Sequence, residues 1–307
     1  MRLHVLLNPS SAGGASLRRW RSLEPLAREL FPGHLVHSSR QAGELIRIAA
    51  ELAPTDGVLL AAGGDGTSHE VINGLAAGAH TRAALGWLPL GSGNDLARAM
   101  SVPFDPRLAL LSYREPIFDT IDLGRIEYRM IGGEPAHKVF GNSFTIGVSA
   151  DVLRLVARLG KPLGGKASYF LATVLALAKH RLAPVTIDGE RDHYRLVAIS
   201  NGGSFGAGMR IIPTAVLDDG QLDLVTFGGI SRIGTAALFP SIYWAGHLRH
   251  QAVRHRRGAT VEIDADQPLA FEADGELFEG LPPFRITVLP SALRVARPNP
   301  RAVDSKL

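Results

Sequence analysis

Val58-Leu59-Leu60-Ala61-Ala62-Gly63-Gly64-Asp65-Gly66-Thr67 decides how the first half of this chain folds. A near-continuous apolar run leads into it, and Val71, Ile72 and Leu75 follow at the spacing of a buried helical face. Strand, glycine turn and helix in that order aim backbone N–H groups at whatever lies before the helix, which makes an anion site. Three glycines let the backbone take positive φ and come close to a ligand. The carboxylate among them repels a bare phosphate but suits a phosphate carried with Mg²⁺. A strand-to-helix turn with an Asp cap would account for one glycine pair, but not for the pentapeptide.

Outward from this stretch the pattern repeats. Leu3–Leu7 reads as a strand followed by the loop Asn8-Pro9-Ser10-Ser11-Ala12-Gly13-Gly14 and a helix from Ser16 to Leu30. Leu35–His37 is a second strand and Ala42–Leu52 a second helix. Ala84–Pro89 is a fourth strand, running into Gly91-Ser92-Gly93-Asn94-Asp95-Leu96-Ala97-Arg98. Repeated βα units of this length predict a parallel sheet covered by helices. Loops leaving the carboxyl ends of parallel strands share one edge, so Asn8–Gly14, Ser39, Gly63–Thr67 and Gly91–Asp95 are expected to converge there.

From Ile121 to Val139 the character changes. Strand patterns then dominate at Val139–Val148, Tyr194–Asn201, Leu222–Phe227, Thr260–Asp264, Leu269–Phe271 and Phe284–Val288, predicting a mainly antiparallel β domain. Two helical interruptions remain. Tyr169–Ala178 is apolar on nearly all sides and is expected to be buried between layers. Arg232–Val253 runs toward the basic stretch Arg249–Arg257, read as a solvated helix end or an anionic-headgroup contact. The expected division is 1–125 as an α/β domain, 126–290 as a β-rich domain, and 291–307 as a segment returning to the first.

Bulk composition narrows the classes. The 307 residues suffice for two cores, and 46% apolar with 20% charged is globular rather than disordered. Zero cysteines exclude disulfides, thiolate catalysis and Cys-ligated metals, and fit a reducing compartment. The N-terminal apolar run is too short for a signal peptide, and no segment reaches the ~18 apolar residues of a spanning helix. A cytoplasmic protein is therefore expected. Net charge of +4 suits an anionic partner. Neither zinc-finger spacing nor an RNA-binding aromatic signature occurs, so no nucleic-acid partner is expected.

Familiar nucleotide motifs fail. No Walker A run is present, and the dinucleotide fingerprint breaks at His69 after Gly64-x-Gly66 and at Leu96 after Gly91-x-Gly93. What stands instead resembles the diacylglycerol kinase catalytic family, most closely its bacterial YegS-like lipid kinases. Six separated motifs carry the resemblance in order: Asn8–Gly13; Gly63–Thr67 with Glu70 and Asn73-Gly74; Pro89–Arg98; Asn201-Gly202-Gly203 through Gly206-Ala207-Gly208-Met209; Pro213 with Asp218-Asp219-Gly220-Gln221-Leu222-Asp223; and Asp274-Gly275-Glu276 with Leu289–Leu293.

The resemblance implies an α/β domain like those of NAD kinase and phosphofructokinase, followed by the β domain. It implies that ATP contacts Asn8, Ser39, Gly63, Gly64, Asp65, Gly66, Thr67, Ser68, His69, Glu70, Ser92 and Asn94. It implies Asp65 and Asp95 as carboxylates for catalytic Mg²⁺, and Glu276 as general base toward a lipid hydroxyl. A second, structural Mg²⁺ is implied at Asp219 with the carbonyls of Val216 and Gln221, where the residues alone read as a β-turn. Asp274-Gly275 alone reads as a hairpin turn. His69 stands where the family usually has Asn and can donate the same hydrogen bond. Leu163–Tyr169 reads as scaffold. A lipid substrate implies peripheral contact with the inner face of a membrane, and a homodimer is left open. The rival readings are an NAD kinase-like small-molecule kinase and a catalytically silent nucleotide-binding module.

Overall fold

The computed structural model describes residues 2–78, 80–91, 93–159, 171–177, 182–206 and 208–304. The chain divides into two compact units, Met1–Ile121 with Ser291–Leu307, and Asp122–Pro290.

The first unit begins with β1 (Arg2–Leu7), α1 (Ala15–Leu30), β2 (Leu35–Ser38) and α2 (Glu44–Leu52). It continues through β3 (Gly57–Gly63), α3 (Asp65–Ala77), β4 (Ala84–Pro89), α4 (Asp95–Ala99) and α5 (Pro106–Ser112). The strands lie in the order β2-β1-β3-β4, all parallel, with Val5 opposite both Val36 and Leu60, and Ala61 opposite Trp87. Ser291–Leu307 belongs to this unit, where Val295 pairs in parallel with Leu85. β3 and β4 are apolar without alternation because helices cover both faces; Val58 to Leu60 and Ala84 to Leu88 are buried.

Helix α3 packs on α2 at a contact that only glycine permits. A Cβ on Gly74 would lie 2.4 Å from the Ile46 carbonyl oxygen and 2.6 Å from the Ala49 Cβ. Glu70, one turn earlier, accepts the Leu45 N–H at 3.0 Å and so satisfies a donor in the first turn of α2. Two members of the Gly63–Gly74 motif thus fix the α2–α3 pair.

The second unit contains β5 (Ile117–Arg129, entering from the first), β6 (Pro135–Phe140), β7 (Ser143–Gly147) and α6 (Val148–Leu159). A helical segment α7, described over 171–177, and the strands β8 (Ala183–Ile187), β9 (Glu190–Ser200) and β10 (Leu222–Gly228) follow. Then come α8 (Arg232–Leu238), a 3₁₀ segment Phe239–Trp244, β11 (Val253–Gly258), β12 (Thr260–Ala265), β13 (Leu269–Ala273) and β14 (Glu276–Arg297). A last helix, α9 (Arg301–Asp304), lies in the first unit. Antiparallel pairing runs β11-β10-β9-β7-β13-β14, with β8 joining β9 to β12. Strand alternation separates two cores: Val197 and Ile199 of β9 enter one with Phe144, Phe271 and Phe284, while Leu196 and Ala198 enter the other with Phe205 and Phe239.

Three expectations are corrected here. Arg254–Arg257 is not a helix end: α8 gives way after Leu238 to the 3₁₀ segments Phe239–Trp244 and Gly246–Arg249, and the basic run is β11, an edge strand among the described residues with Asp223 opposite Arg257. Charged residues on an edge strand oppose pairing with another chain. β5, β8 and most of β6 were not legible as strands; the polar, exposed halves of β5 and β6 hid those two. The Tyr169–Ala178 stretch was expected to be buried, yet within α7 only Ala172, Thr173, Ala176 and Leu177 are, while Leu171, Val174 and Leu175 are exposed. Leu163–Tyr169 and Ala207 lie outside the described residues.

Buried imidazoles make stability pH-dependent. His4 and His37 stack at 5.3 Å with a 3.1 Å ring hydrogen bond. Burial lowers the pKa of both, and His37 and Arg2 depress His4 further. His247, hydrogen-bonded to the Ile211 carbonyl at 2.9 Å, is also lowered, chiefly by burial. The unfolded chain takes up these protons near its ordinary pKa of about 6.5, before the folded protein does. Stability is therefore full above about pH 6.5 and falls as pH drops below it, by at most about 1.4 kcal/mol per pH unit for each imidazole. Melting at pH 7.5 and 5.5 is expected to show a smaller drop for His4→Gln than for wild type.

Candidate active site

Two glycine loops in the first unit are locked together. The Gly63 carbonyl accepts the N–H groups of Leu90 and Gly91 at 2.9 and 2.8 Å. A Cβ on Gly91 would fall 2.4 Å from Gly64 Cα, and one on Gly93 would fall 2.0 Å from Asp65 Oδ2. Glycine is needed at both places because backbone, not a movable side chain, crowds Gly91, and the key carboxylate crowds Gly93. Arg19 of α1 adds a 2.6 Å hydrogen bond to the Leu90 carbonyl.

Asp65 is the hinge of this arrangement. Its Oδ2 accepts the Asn94 N–H at 2.8 Å and its Oδ1 the Asp95 N–H at 2.7 Å. It therefore caps α4 from another loop, while Asn94 sits at φ 57° with its side chain donating to Gly91 O at 3.0 Å. Helix capping is thus done by Asp65 rather than by Asn94 itself. Asp95 is buried at the start of α4, its backbone tied to Asp65. The sequence expectation brings Asp65 and Asp95 to one place, and they are there.

The remaining residues expected to contact nucleotide divide by surroundings. Asn8 donates its N–H to Ala62 O, and Ser39 donates its N–H to Leu7 O, which places both at the carboxyl ends of adjacent strands beside the glycine loop. Thr67 is buried against Gly63, and its Oγ1 has no hydrogen-bond partner among the described residues. A buried hydroxyl in that state costs free energy unless something accepts or donates to it. Ser68 donates to Gly64 O, and His69 is buried against Asn73. Glu70 is turned to α2, as described above. Gly66 lies in the first turn of α3, whereas Ser92 lies outside the described residues.

In the second unit, Asp274 and Gly275 form the two-residue turn of the β13–β14 hairpin, with φ of 50° and 88° and Ala273 paired to Glu276. The hairpin reading was right but incomplete. Asp274 Oδ1 accepts the N–H groups of Asn142 and Ser143 at 2.8 and 3.1 Å, and Oδ2 that of Gly141 at 2.9 Å. Three charge-assisted bonds to backbone amides tie the turn to the β6–β7 connection. Glu276 follows, exposed, at the first position of β14. Glu272, given no role by its sequence position, is buried and accepts from Thr145 and from the Gly275 N–H at 2.8 Å. It braces the same turn from the other side.

Asp219 lies on the turn that leads into β10. Its Oδ1 accepts the Gln221 N–H at 3.1 Å and its Oδ2 pairs with Arg257. Buried Asp223 faces His255 at 2.6 Å and Arg257 at 3.5 Å, and Asp122 accepts the Gly220 N–H at 2.7 Å. The turn expected to hold a second cation through Val216, Asp219 and Gln221 thus also carries an ion pair from Asp219 to Arg257. At Asp65 the surroundings are different: both of its oxygens accept backbone N–H groups, and Asp95 lies beside it, two carboxylates of the oxygen type that suits a hard divalent cation.

The second unit also contains a small apolar cavity of about 40 Å³. Val148, Val152, Leu196, Phe205, Phe239 and Ile242 line it, with Thr173 and Leu177 from α7. Arg195 is buried in its wall, donating to Ile230 O at 3.1 Å, and burial together with Arg232 lowers its pKa.

Known proteins share both units. Residues 2–126 match the family model of the diacylglycerol kinase catalytic domain, and residues 142–297 that of the YegS C-terminal NAD kinase beta sandwich-like domain. A curated diacylglycerol kinase of Mycobacterium tuberculosis is 30% identical over 305 residues, covering 96% of this chain and 94% of that relative. A "probable lipid kinase YegS-like" protein of Cronobacter sakazakii is 31% identical, covering 96% and 95%. A solved structure from Bacillus anthracis, described as a diacylglycerol kinase, superposes with a TM-score of 0.70 at 20% identity over 98% of each chain, which supports the fold.

Proposed function

The chain belongs to the diacylglycerol kinase catalytic family, a lipid kinase by that membership, and from this premise we propose that it moves the γ-phosphoryl group of ATP to a lipid hydroxyl, as on diacylglycerol or phosphatidylglycerol. The observation that carries the lipid acceptor is the apolar cavity of the second unit, lined almost wholly by hydrophobic side chains. Its lining suits an acyl chain and offers a nicotinamide or sugar phosphate almost no hydrogen bonds.

On the nucleotide side, the glycine amides at the start of α3 and the Thr67 hydroxyl bind phosphate oxygens. Asp65 and Asp95 would hold Mg²⁺, which supplies charge neutralisation on the phosphates when bound. Asp65 also fixes the Gly91–Asp95 loop, so binding and loop position are set by one side chain. On the acceptor side, the Glu276 carboxylate takes the proton of the lipid hydroxyl as its oxygen bonds to the γ-phosphorus. The bond from that phosphorus to the bridging oxygen breaks and ADP leaves. Peripheral membrane contact supplies the lipid; among the described residues no helix is long and apolar enough to cross a bilayer.

The reading is tested by offering γ-labelled ATP with a panel of lipids beside NAD and fructose 6-phosphate. Label is expected in a lipid and in neither small molecule. Label in NAD alone, or in nothing, would sink it.

A further inference from the structure

Residues 224–261 contain no Asp or Glu and five arginines, the longest stretch of one charge sign in the second unit. Within it, Ile233, Ala236, Ala237 and Pro240 recur at i, i+3, i+4 and i+7, and all four are exposed. Tyr243 and Trp244 continue the stripe. Ile233 is 84% exposed and Trp244 66%, values that a folded protein rarely leaves on large apolar side chains without a use. Between them, Thr235, Phe239 and Ile242 turn inward and line the apolar cavity. Helix α7 repeats the arrangement: Thr173 and Leu177 line the same cavity, while Leu171, Val174 and Leu175 are exposed. Both elements are therefore apolar on two faces, one over the cavity and one toward the outside.

We propose that the outer face of α7, α8 and Phe239–Trp244 docks on an anionic membrane surface, placing the cavity beneath it against the bilayer. Charge argues for this occupant. Arg232 and Arg249 flank the stripe and are exposed, and Arg210, also exposed, is anchored by its own backbone to the Ile242 carbonyl at 3.1 Å. The other arginines of the run are engaged: Arg254 with Glu190, Arg256 with Asp188 and Arg257 with Asp219. An apolar ridge carrying Trp and Tyr with a basic rim is the composition of a segment lying in a lipid interface. The seating deepens the lipid-kinase reading by giving the acceptor chain a short path from bilayer to cavity, and it rests on that reading only for this path.

The test is vesicle flotation without nucleotide, using phosphatidylcholine with and without phosphatidylglycerol. Wild type is expected to float with the phosphatidylglycerol vesicles and to be released by salt. The double variant Ile233→Asp with Trp244→Asp is expected to lose about tenfold or more of the bound fraction while keeping its melting temperature. Arg232→Gln with Arg249→Gln is expected to lose the preference for the anionic lipid. Both variants should keep wild-type rates on a short-chain diacylglycerol dispersed in detergent. Docking is overturned if wild type does not float, if the double variants float like it, or if they merely convert a dimer to a monomer in sedimentation. Vesicle binding through this face with no phosphorylation of any lipid would keep the docking and sink the kinase reading instead.

Discussion

Asp65→Ala is expected to lower phosphoryl transfer by about 10³-fold or more, and to destabilise the protein by about 2–3 kcal/mol. Two losses combine. The variant removes a carboxylate proposed to hold the cation on ATP, and it leaves the Asn94 and Asp95 N–H groups without the oxygens that accept them at 2.8 and 2.7 Å. Asp65→Asn separates the two. One amide oxygen keeps one of the two bonds, so stability is expected to recover in part while transfer stays low. Gly93→Ala supplies the converse case, since its Cβ would meet Asp65 Oδ2 at 2.0 Å and push the carboxylate aside without changing its charge. Steady-state rates beside thermal melts read both effects; an Asp65→Ala enzyme with wild-type turnover would remove the residue from the mechanism.

Asp274→Ala is expected to give the largest loss of stability, about 3–5 kcal/mol, because three backbone N–H groups lose one buried carboxylate together. For a unit of this size that corresponds to a melting temperature lower by roughly 10 °C. The damage reaches Glu276, whose place at the start of β14 is set by the Asp274-Gly275 turn. A melting temperature within about 1 °C of wild type would show that the turn does not depend on this carboxylate. Glu272 is the internal comparison, bracing the turn through bonds from the Gly275 N–H and from Thr145.

These two aspartates illustrate what the sequence makes legible. The βα units of the first unit were readable because their determinants are local: apolar runs of strand length, glycine turns and helical spacing within some twenty residues. Asp65 was readable as a site residue for the same reason, though not as the cap of α4, whose residues lie thirty positions away. Asp274 was readable as a turn, but its three partners stand more than 130 positions earlier, apart from any local pattern. In the second unit the edge strand β11 carries Arg254-His255-Arg256-Arg257, and only its ladder to β10 makes it a strand. The pairing of Arg257 with Asp219 followed from that ladder and was hidden with it. The apolar α7 misled in another way. A helix hydrophobic all round is usually buried all round, but here its outer side is open.

The most direct measurement is transfer of label from γ-labelled ATP into extracted lipid by wild type and by Glu276→Gln, with ATP binding followed in parallel. The account expects a labelled phospholipid from wild type, none in NAD or fructose 6-phosphate, and a variant that binds ATP but transfers at least about 10²-fold more slowly. Label confined to NAD, or Glu276→Gln turning over at the wild-type rate, would contradict it.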